Sequence, residues 1–279
     1  MNSQNITESN QSNQTIFRFK FLKKAEYKYL SHLDIISIMI RAVARSGIKI
    51  KYGYGFNPKP KISFSNPTPL GVESLAEYCD ITIMGKISEN DFLNPVNSQL
   101  PEQLKIVDLK KAGGKIPSLM SEISVVLYGF KLMGSGGGRS SSEEMLSMGG
   151  QTLKANSQKL KDAVEKGYAN FKSIYKIEHS THSYADSNTY ANTLSNTGTP
   201  GNTGTPSNII FLKVFGYAKI FKELNNEIFK FNNFMGFFQG LIKDLNIELK
   251  DVAKEEMYIF QGSEKLLKTP LEIIQEDGK

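Results

Sequence analysis

The sequence predicts an α+β chain built of tandem ferredoxin-like (split βαβ) sandwiches with a long disordered insert. Three observations carry that expectation: β-type alternation at 16–21, helical spacing at 31–46, and a Gly/Ser/Thr/Asn-rich tract that lacks core-forming residues. The 279 residues suffice for one or two domains. Composition divides them into a lead at 1–15, a first lobe at 16–132, the insert at 133–207 and a second lobe at 208–279.

In the first lobe, Phe17, Phe19 and Phe21 share one face of a strand, and Arg18 and Lys20 take the other. A helix follows over 31–46, with Leu33, Ile36, Ile40, Val43 and Ala44 as its apolar stripe. Ser31 and Asp34 form its capping box and Gly47 closes it. Residues 48–54 read as a short extended segment. The alternation over 77–84 gives another strand. Ser88, with Asp91 three residues on, starts a second helix that runs to about Leu100 and is interrupted at Pro95. Residues 104–109 form a last strand. The resulting order, β-α-β-β-α-β, is that of a split βαβ unit.

The second lobe repeats the pattern loosely. Strands are expected at 124–132, 209–215, 247–252 and 257–260. Phe231, Phe234, Phe238, Leu241, Ile242 and Leu245 outline a helix. Inside the insert, Leu153, Leu160, Val164, Phe171 and Tyr175 outline a further helix. The insert opens on Gly134-Ser135-Gly136-Gly137-Gly138 and closes on two Asn-Thr-Gly-Thr-Pro repeats. Such tracts bury too little apolar surface to offset the entropy of ordering.

Composition excludes several classes of function. The single Cys79 cannot form an internal disulfide, and alone it supports neither a cluster nor a structural zinc site, so no metal is expected. No apolar run approaches the roughly 20 residues needed to span a bilayer. The Asn/Gln/Ser-rich start has no apolar core of a signal peptide. A cytoplasmic protein that does not enter a membrane is expected.

The net charge of +6 is local in origin. Residues 16–61 contain eleven Lys and Arg against Glu26 and Asp34, which leaves the rest of the chain at −3. Arg41 and Arg45 lie one turn apart, and Lys49 follows on the next extended segment. Interleaved Tyr27, Tyr29, Tyr52, Tyr54 and Phe56 supply rings, and lysines with rings are what phosphate contact and base stacking require. RNA is the expected polyanion, because neither a helix-turn-helix nor a zinc-finger pattern is present. The alternative is a solvated basic face.

The segment 52–61 combines Gly53 and Gly55 with Pro58 and Pro60, so it is permissive at its start and stiff at its end. It offers the Tyr54 hydroxyl, the Asn57 amide, and the ammonium groups of Lys59 and Lys61 as substrate contacts beside Arg41, Arg45 and Lys49. It is neither a P-loop nor a dinucleotide fingerprint. A plain structural turn fits the same residues.

Two residues stand out as catalytic candidates. His32 occupies the first turn of the helix, where it either meets an anion or packs half-buried against a neighbour. Asp34 is most simply a cap, with an ion pair to Arg41 as the other reading. His179 and His182 lie in a polar tract and make a weak metal pair. Glu73 and Glu77 follow a turn and read as structural in preference to an acid/base pair.

Four spaced blocks carry a resemblance. They are Tyr29-Leu30-Ser31-His32-Leu33-Asp34, the helix with Arg41-Ala42 and Arg45, the run from Gly55 to Ser63, and Pro69-Leu70-Gly71-Val72-Glu73-Ser74 with Glu77-Tyr78. Together they resemble the radical SAM-associated (radical SAM-linked) domain family of uncharacterised function, over about residues 16–132. The resemblance implies an accessory role beside a radical SAM enzyme, with S-adenosylmethionine and an iron–sulfur cluster held by that partner. This chain has no Cys-x3-Cys-x2-Cys set, so no cofactor is expected in it. The chain departs from the family pattern at Lys59, where His is usual, and in the length of the insert. The expected function is therefore an accessory domain that binds or presents RNA. The alternatives are a stand-alone RNA-acting enzyme using His32 and the Asn57 loop, or a pure protein-interaction module.

Overall fold

The computed structural model describes residues 13–114, 116–134, 158–160, 162, 172–182, 209–219, 226–245, 247–261 and 266–274. The chain is of mixed α/β class, with nine strands and few helices among these residues. It divides into two units, Met1–Val126 with Lys254–Lys279, and Leu127–Ala253. Strands β5 (Val125–Gly134) and β8 (Ile247–Gln261) have residues in both. No helix among the described residues is long and apolar enough to cross a membrane.

The first unit begins with β1 (Gln14–Lys23), so Gln14 and Thr15 belong to a strand and not to the lead. Thr15 is buried and donates to the Gly85 carbonyl at 2.8 Å. Helix α1 (His32–Arg45) follows, then β2 (Ile62–Phe64), β3 (Glu73–Met84), α2 (Glu89–Ser98) and β4 (Ile106–Ala112). The strand order is β4-β1-β3, with β2 and β8 also on β3. The pairs β1–β3, β1–β4 and β2–β3 are all antiparallel. Helices α1 and α2 each connect strands that are not neighbours in the sheet. The short helix α3 (Leu119–Glu122) precedes β5, and β9 (Leu266–Lys268) pairs with β8.

Both caps expected for α1 are present. The Ser31 side chain accepts from the Asp34 amide while Asp34 accepts from the Ser31 amide, and Gly47 adopts φ +81° beyond the last turn. The buried stripe differs from the expected one. Ile35, Met39, Ala42 and Val43 face the core, whereas Leu33 and Ala44 are exposed. Asp34, Ser37, Arg41 and Arg45 mark one exposed polar face, and apolar residues cover so wide an arc of the rest that spacing alone selects more than one stripe. Pro95 lies inside α2 without ending it, and Ser88 caps that helix by accepting from the Asp91 amide. The segment 48–54 makes only isolated bridges, Ile50 to Ile83 and Tyr52 to Pro60. The paired strand is β2, which starts at Ile62.

The core gathers Phe17, Phe19 and Phe21 of β1, Ile35 and Met39 of α1, Cys79, Ile81 and Ile83 of β3, and Phe92 and Val96 of α2. The Phe17 and Phe92 rings lie 4.7 Å apart. Strand β1 is buried on its second face as well, because Arg18 is wholly inaccessible. Arg18 does lie opposite the Phe row, but in the interior, as its guanidinium has partners inside the unit.

In the second unit the strand order is β8-β5-β7-β6, where β6 is Ile174–His182 and β7 is Ile209–Tyr217. Strands β6 and β7 pair antiparallel. The compositional insert thus contains a strand, and Tyr175 belongs to it instead of to a helix. Residues 158–160 are helical, and Leu153, Val164 and Phe171 lie outside the described residues. Helix α4 (Phe231–Asp244) buries Phe234, Phe238 and Ile242, and the Phe130 ring of β5 lies tilted 5.1 Å from that of Phe238. The two short strands expected near 247–260 are one continuous β8, because its fifteen residues alternate burial unevenly and conceal the period. Gly216 is required where it stands. A Cβ there would lie 2.3 Å from the Phe229 ring.

Candidate functional site

Residues 51–61 form a loop clamped at its base. The Lys51 amide donates to the Thr82 carbonyl at 2.8 Å, the Thr82 amide to the Lys61 carbonyl at 2.9 Å, and the Lys61 amide to the Lys51 carbonyl at 2.7 Å. One step further out the Gly53 amide donates to the Lys59 carbonyl at 2.8 Å. Gly55 at the tip takes φ +119°, a conformation L side chains resist. The clamp holds the loop away from the core. Tyr54 is 86% exposed and Phe56 wholly so, with Tyr52 half exposed. Lys49, Asn57, Lys59 and Lys61 are exposed around them. None of these lysines has an ion pair among the described residues.

The α1 arginines behave differently from one another. Arg41 is exposed and has no ion pair among the described residues, Asp34 included. Arg45 donates to the Gln99 carbonyl at 3.1 Å, which commits part of its guanidinium to packing α1 against α2. No hydrogen bond, ring contact or ion pair joins either arginine to the loop among the described residues. Asp34 is a cap, holding the Ser31 hydroxyl at 2.7 Å. His32 does not meet Asn57. Its ring lies edge-on to Phe64 at 5.8 Å.

Several cations counted from the sequence are interior. Arg18 makes a forked pair with Asp80, at 2.7 and 2.9 Å, and donates to Glu122 at 3.1 Å. It also donates to the carbonyls of Pro117 and Pro270. Burial alone would lower its pKa, and the two carboxylates carry it above the ordinary value. Burial raises the Asp80 carboxyl, with Arg18 opposing. Lys20 pairs with Glu256 at 2.5 Å, and the Tyr78 hydroxyl donates to the other oxygen of that carboxylate at 2.6 Å. Burial also pushes the Cys79 thiol up, which leaves it an inert core residue.

A second interior group centres on Glu77. Its Oε1 accepts from Lys254 Nζ at 2.6 Å and from the Thr68 hydroxyl. Lys254 also donates to the Asn66 carbonyl at 3.3 Å. Lys23 and Lys254 are 4% and 1% exposed and Glu77 is 5% exposed. Burial lowers both lysines against the pull of Glu77. His32, half-buried, is lowered by burial and by Lys254 and Lys23, with Glu77 opposing. Beside this group Ala25 holds a positive φ of 50°, its amide bonded to Glu73 Oε1 at 2.9 Å. Glu73 and Glu77 therefore serve different partners and form no acid/base pair. Among the described residues no three of His, Cys, Asp and Glu come together as a metal-binding group. His179 and His182 are both in β6.

This interior group was not singled out from the sequence, though two of its members left a signal. Lys23 falls in phase with Phe17, Phe19 and Phe21, and Glu77 in phase with Cys79, Ile81 and Ile83. Strand parity alone places both on the core face. Lys254 left none, because the break expected in β8 hid its position.

A family model described as "Uncharacterized protein conserved in bacteria (DUF2344)" matches residues 17–193. The chain belongs to this family. The DUF2344 match covers the clamped loop, Lys23, His32 and Glu77, and leaves Lys254 beyond its end. It also runs through most of the compositional insert, further than the motif blocks reach. The description names no activity, ligand or partner. No curated protein matches the chain.

Proposed function

We propose that this DUF2344 chain is an accessory, RNA-binding protein of the cytoplasm that presents its RNA to a radical SAM enzyme. The clamped loop 51–61 supplies the contact surface, on a split βαβ platform. The observation that supports this reading is the exposure of Tyr54 and Phe56 between lysines that no carboxylate neutralises among the described residues. Leaving one Phe in water forgoes roughly 1.5–3 kcal/mol of burial, and hydrogen bonds at the loop base fix the rings where they are. Rings between lysines match single-stranded RNA, in which bases stack and phosphates meet cations. The partner enzyme class comes from the motif resemblance. S-adenosylmethionine and the iron–sulfur cluster belong to that partner.

A filter-binding titration with single-stranded RNA at several salt concentrations tests the reading. Affinity is expected to fall linearly on a log–log salt plot. Lys59→Ala with Lys61→Ala should reduce the slope by about 0.7 for each phosphate that is no longer neutralised. Tyr54→Ala with Phe56→Ala should weaken binding by roughly 1–3 kcal/mol per stacked base and leave the slope unchanged. Absent or salt-independent binding overturns the RNA reading. A nuclease-resistant complex with a radical SAM enzyme, formed without RNA affinity, would favour a protein-interaction module instead.

A further inference from the structure

We propose that Lys23, Lys254 and His32 form a phosphate-binding site anchored by Glu77, separate from the loop 51–61. The argument starts from charge balance. Lys23 and Lys254 are both buried, and Glu77 pairs with Lys254 while acting on Lys23 only through its field. Lys254 is held by Glu77 Oε1 and the Asn66 carbonyl. Lys23 has no hydrogen-bond acceptor and no ion pair within 4 Å among the described residues, although it is 96% buried. Buried cations are ordinarily paired and hydrogen-bonded, since desolvating one without a partner is costly. An ammonium with no acceptor of its own, beside an ion pair it does not join, is free to take an anionic oxygen.

The shape of the group narrows the anion. Donors come from three elements: Lys23 from the end of β1, Lys254 from β8 and His32 from the first turn of α1. Phe21 and Glu77 are register partners across β1 and β3, so the apolar row of β1 ends on this polar group. Phe64 packs against the His32 ring and forms an apolar wall. Two ammonium groups and an imidazole drawn from three elements suit an oxyanion that carries several charged oxygens, and ammonium groups bind phosphate as point charges. The positive φ of Ala25, two residues past Lys23, fixes the chain where the strand ends.

Isothermal titration of the full chain with inorganic phosphate in a chloride buffer tests the site. Saturable binding is expected, weakened roughly ten-fold or more in Lys23→Met. Methionine keeps much of the stem and removes a charge that the unliganded fold leaves unpaired. Lys23→Arg should retain part of the affinity. Should Lys23→Met not fold, the wild-type chain still decides the matter. The His32 ring resonance, identified among three histidines by its loss in His32→Gln, must shift as phosphate is added. No saturable binding, an unmoved His32 resonance, or undiminished binding by a folded Lys23→Met would each overturn the proposal. Competition then separates the sources of the group. Displacement of phosphate by 5′-phosphorylated RNA and not by its 5′-hydroxyl counterpart supports the site with an RNA end as ligand. Displacement by neither supports it with a free phosphate compound as ligand. Failure here leaves RNA binding by the loop untouched, because Lys59→Ala and Lys61→Ala probe that surface alone.

Discussion

The lysines of the loop 51–61 and the cations of β1 and β8 belong to one basic protein and end in opposite environments. Lys59 and Lys61 stand in water beside exposed rings, on a hairpin clamped to β3. Arg18, Lys23 and Lys254 are interior, and each depends on what faces it. Arg18 is fully matched by Asp80, Glu122 and two carbonyls. Lys254 is matched by Glu77, and Lys23 is not matched by a hydrogen bond among the described residues. The difference teaches that net charge counted along a chain is not surface charge. A cation in phase with a buried apolar row is a statement about the interior, whatever its neighbours in sequence.

The sharpest way to break that comparison is to remove an interior cation. Arg18→Leu would strand Asp80 inside the first unit and should cost about 3–5 kcal/mol, read by chemical denaturation. The double variant Arg18→Leu with Asp80→Leu should recover much of that loss, because two apolar side chains replace a desolvated pair. Lys254→Met comes next, since it leaves Glu77 buried with only the Thr68 hydroxyl. Lys23→Met should be close to neutral or stabilising in the absence of anion. If Lys23→Met destabilised as much as Lys254→Met, the two lysines would not differ as the geometry says.

Much of this organisation was legible before the structure. The capping box of Ser31 and Asp34, the cap at Ser88 and the Phe row of β1 follow from local chemistry that tertiary contacts do not override. Illegible features have a common cause. Leu33 is exposed and Ile35 buried because the apolar arc of α1, outside its Asp34, Ser37, Arg41 and Arg45 face, is wide enough to hold several stripes, so only packing selects one. Arg18 reads only as lying opposite the Phe row, because its partners lie 62 and 104 positions away in Asp80 and Glu122. Lys254 could not be linked to Glu77 for the same reason. The loop 51–61 was visible through its Gly and Pro residues, and its exposure was not.

A pH titration sharpens the contrast at the edge of the interior group. His32 faces Lys23 of β1, Glu77 of β3 and Lys254 of β8, and burial with the two lysines holds its folded pKa below the usual 6.5. The unfolded chain then binds the proton more readily than the folded one. Stability from this residue is fully present above about pH 6.5 and is lost as pH falls through the folded value. Subtracting the denaturation profile of His32→Gln from that of the wild type should isolate a term of that sign. A term that grows on acidification would mean that Glu77 and not the lysines dominates the imidazole.

The smallest expected effect lies in the loop. Lys59→Ala and Lys61→Ala remove charges that stand in water and hold no described partner, so each should change stability by no more than about 0.5 kcal/mol. The backbone bonds at the loop base use main-chain groups, which alanine supplies equally well. A double variant that denatures like the wild type yet loses RNA affinity and salt dependence would separate what the loop does from what holds it. A loss of stability comparable to that of Lys254→Met would instead mean that these lysines have folded-state partners, and the contrast between exposed and interior cations would fail at its exposed end.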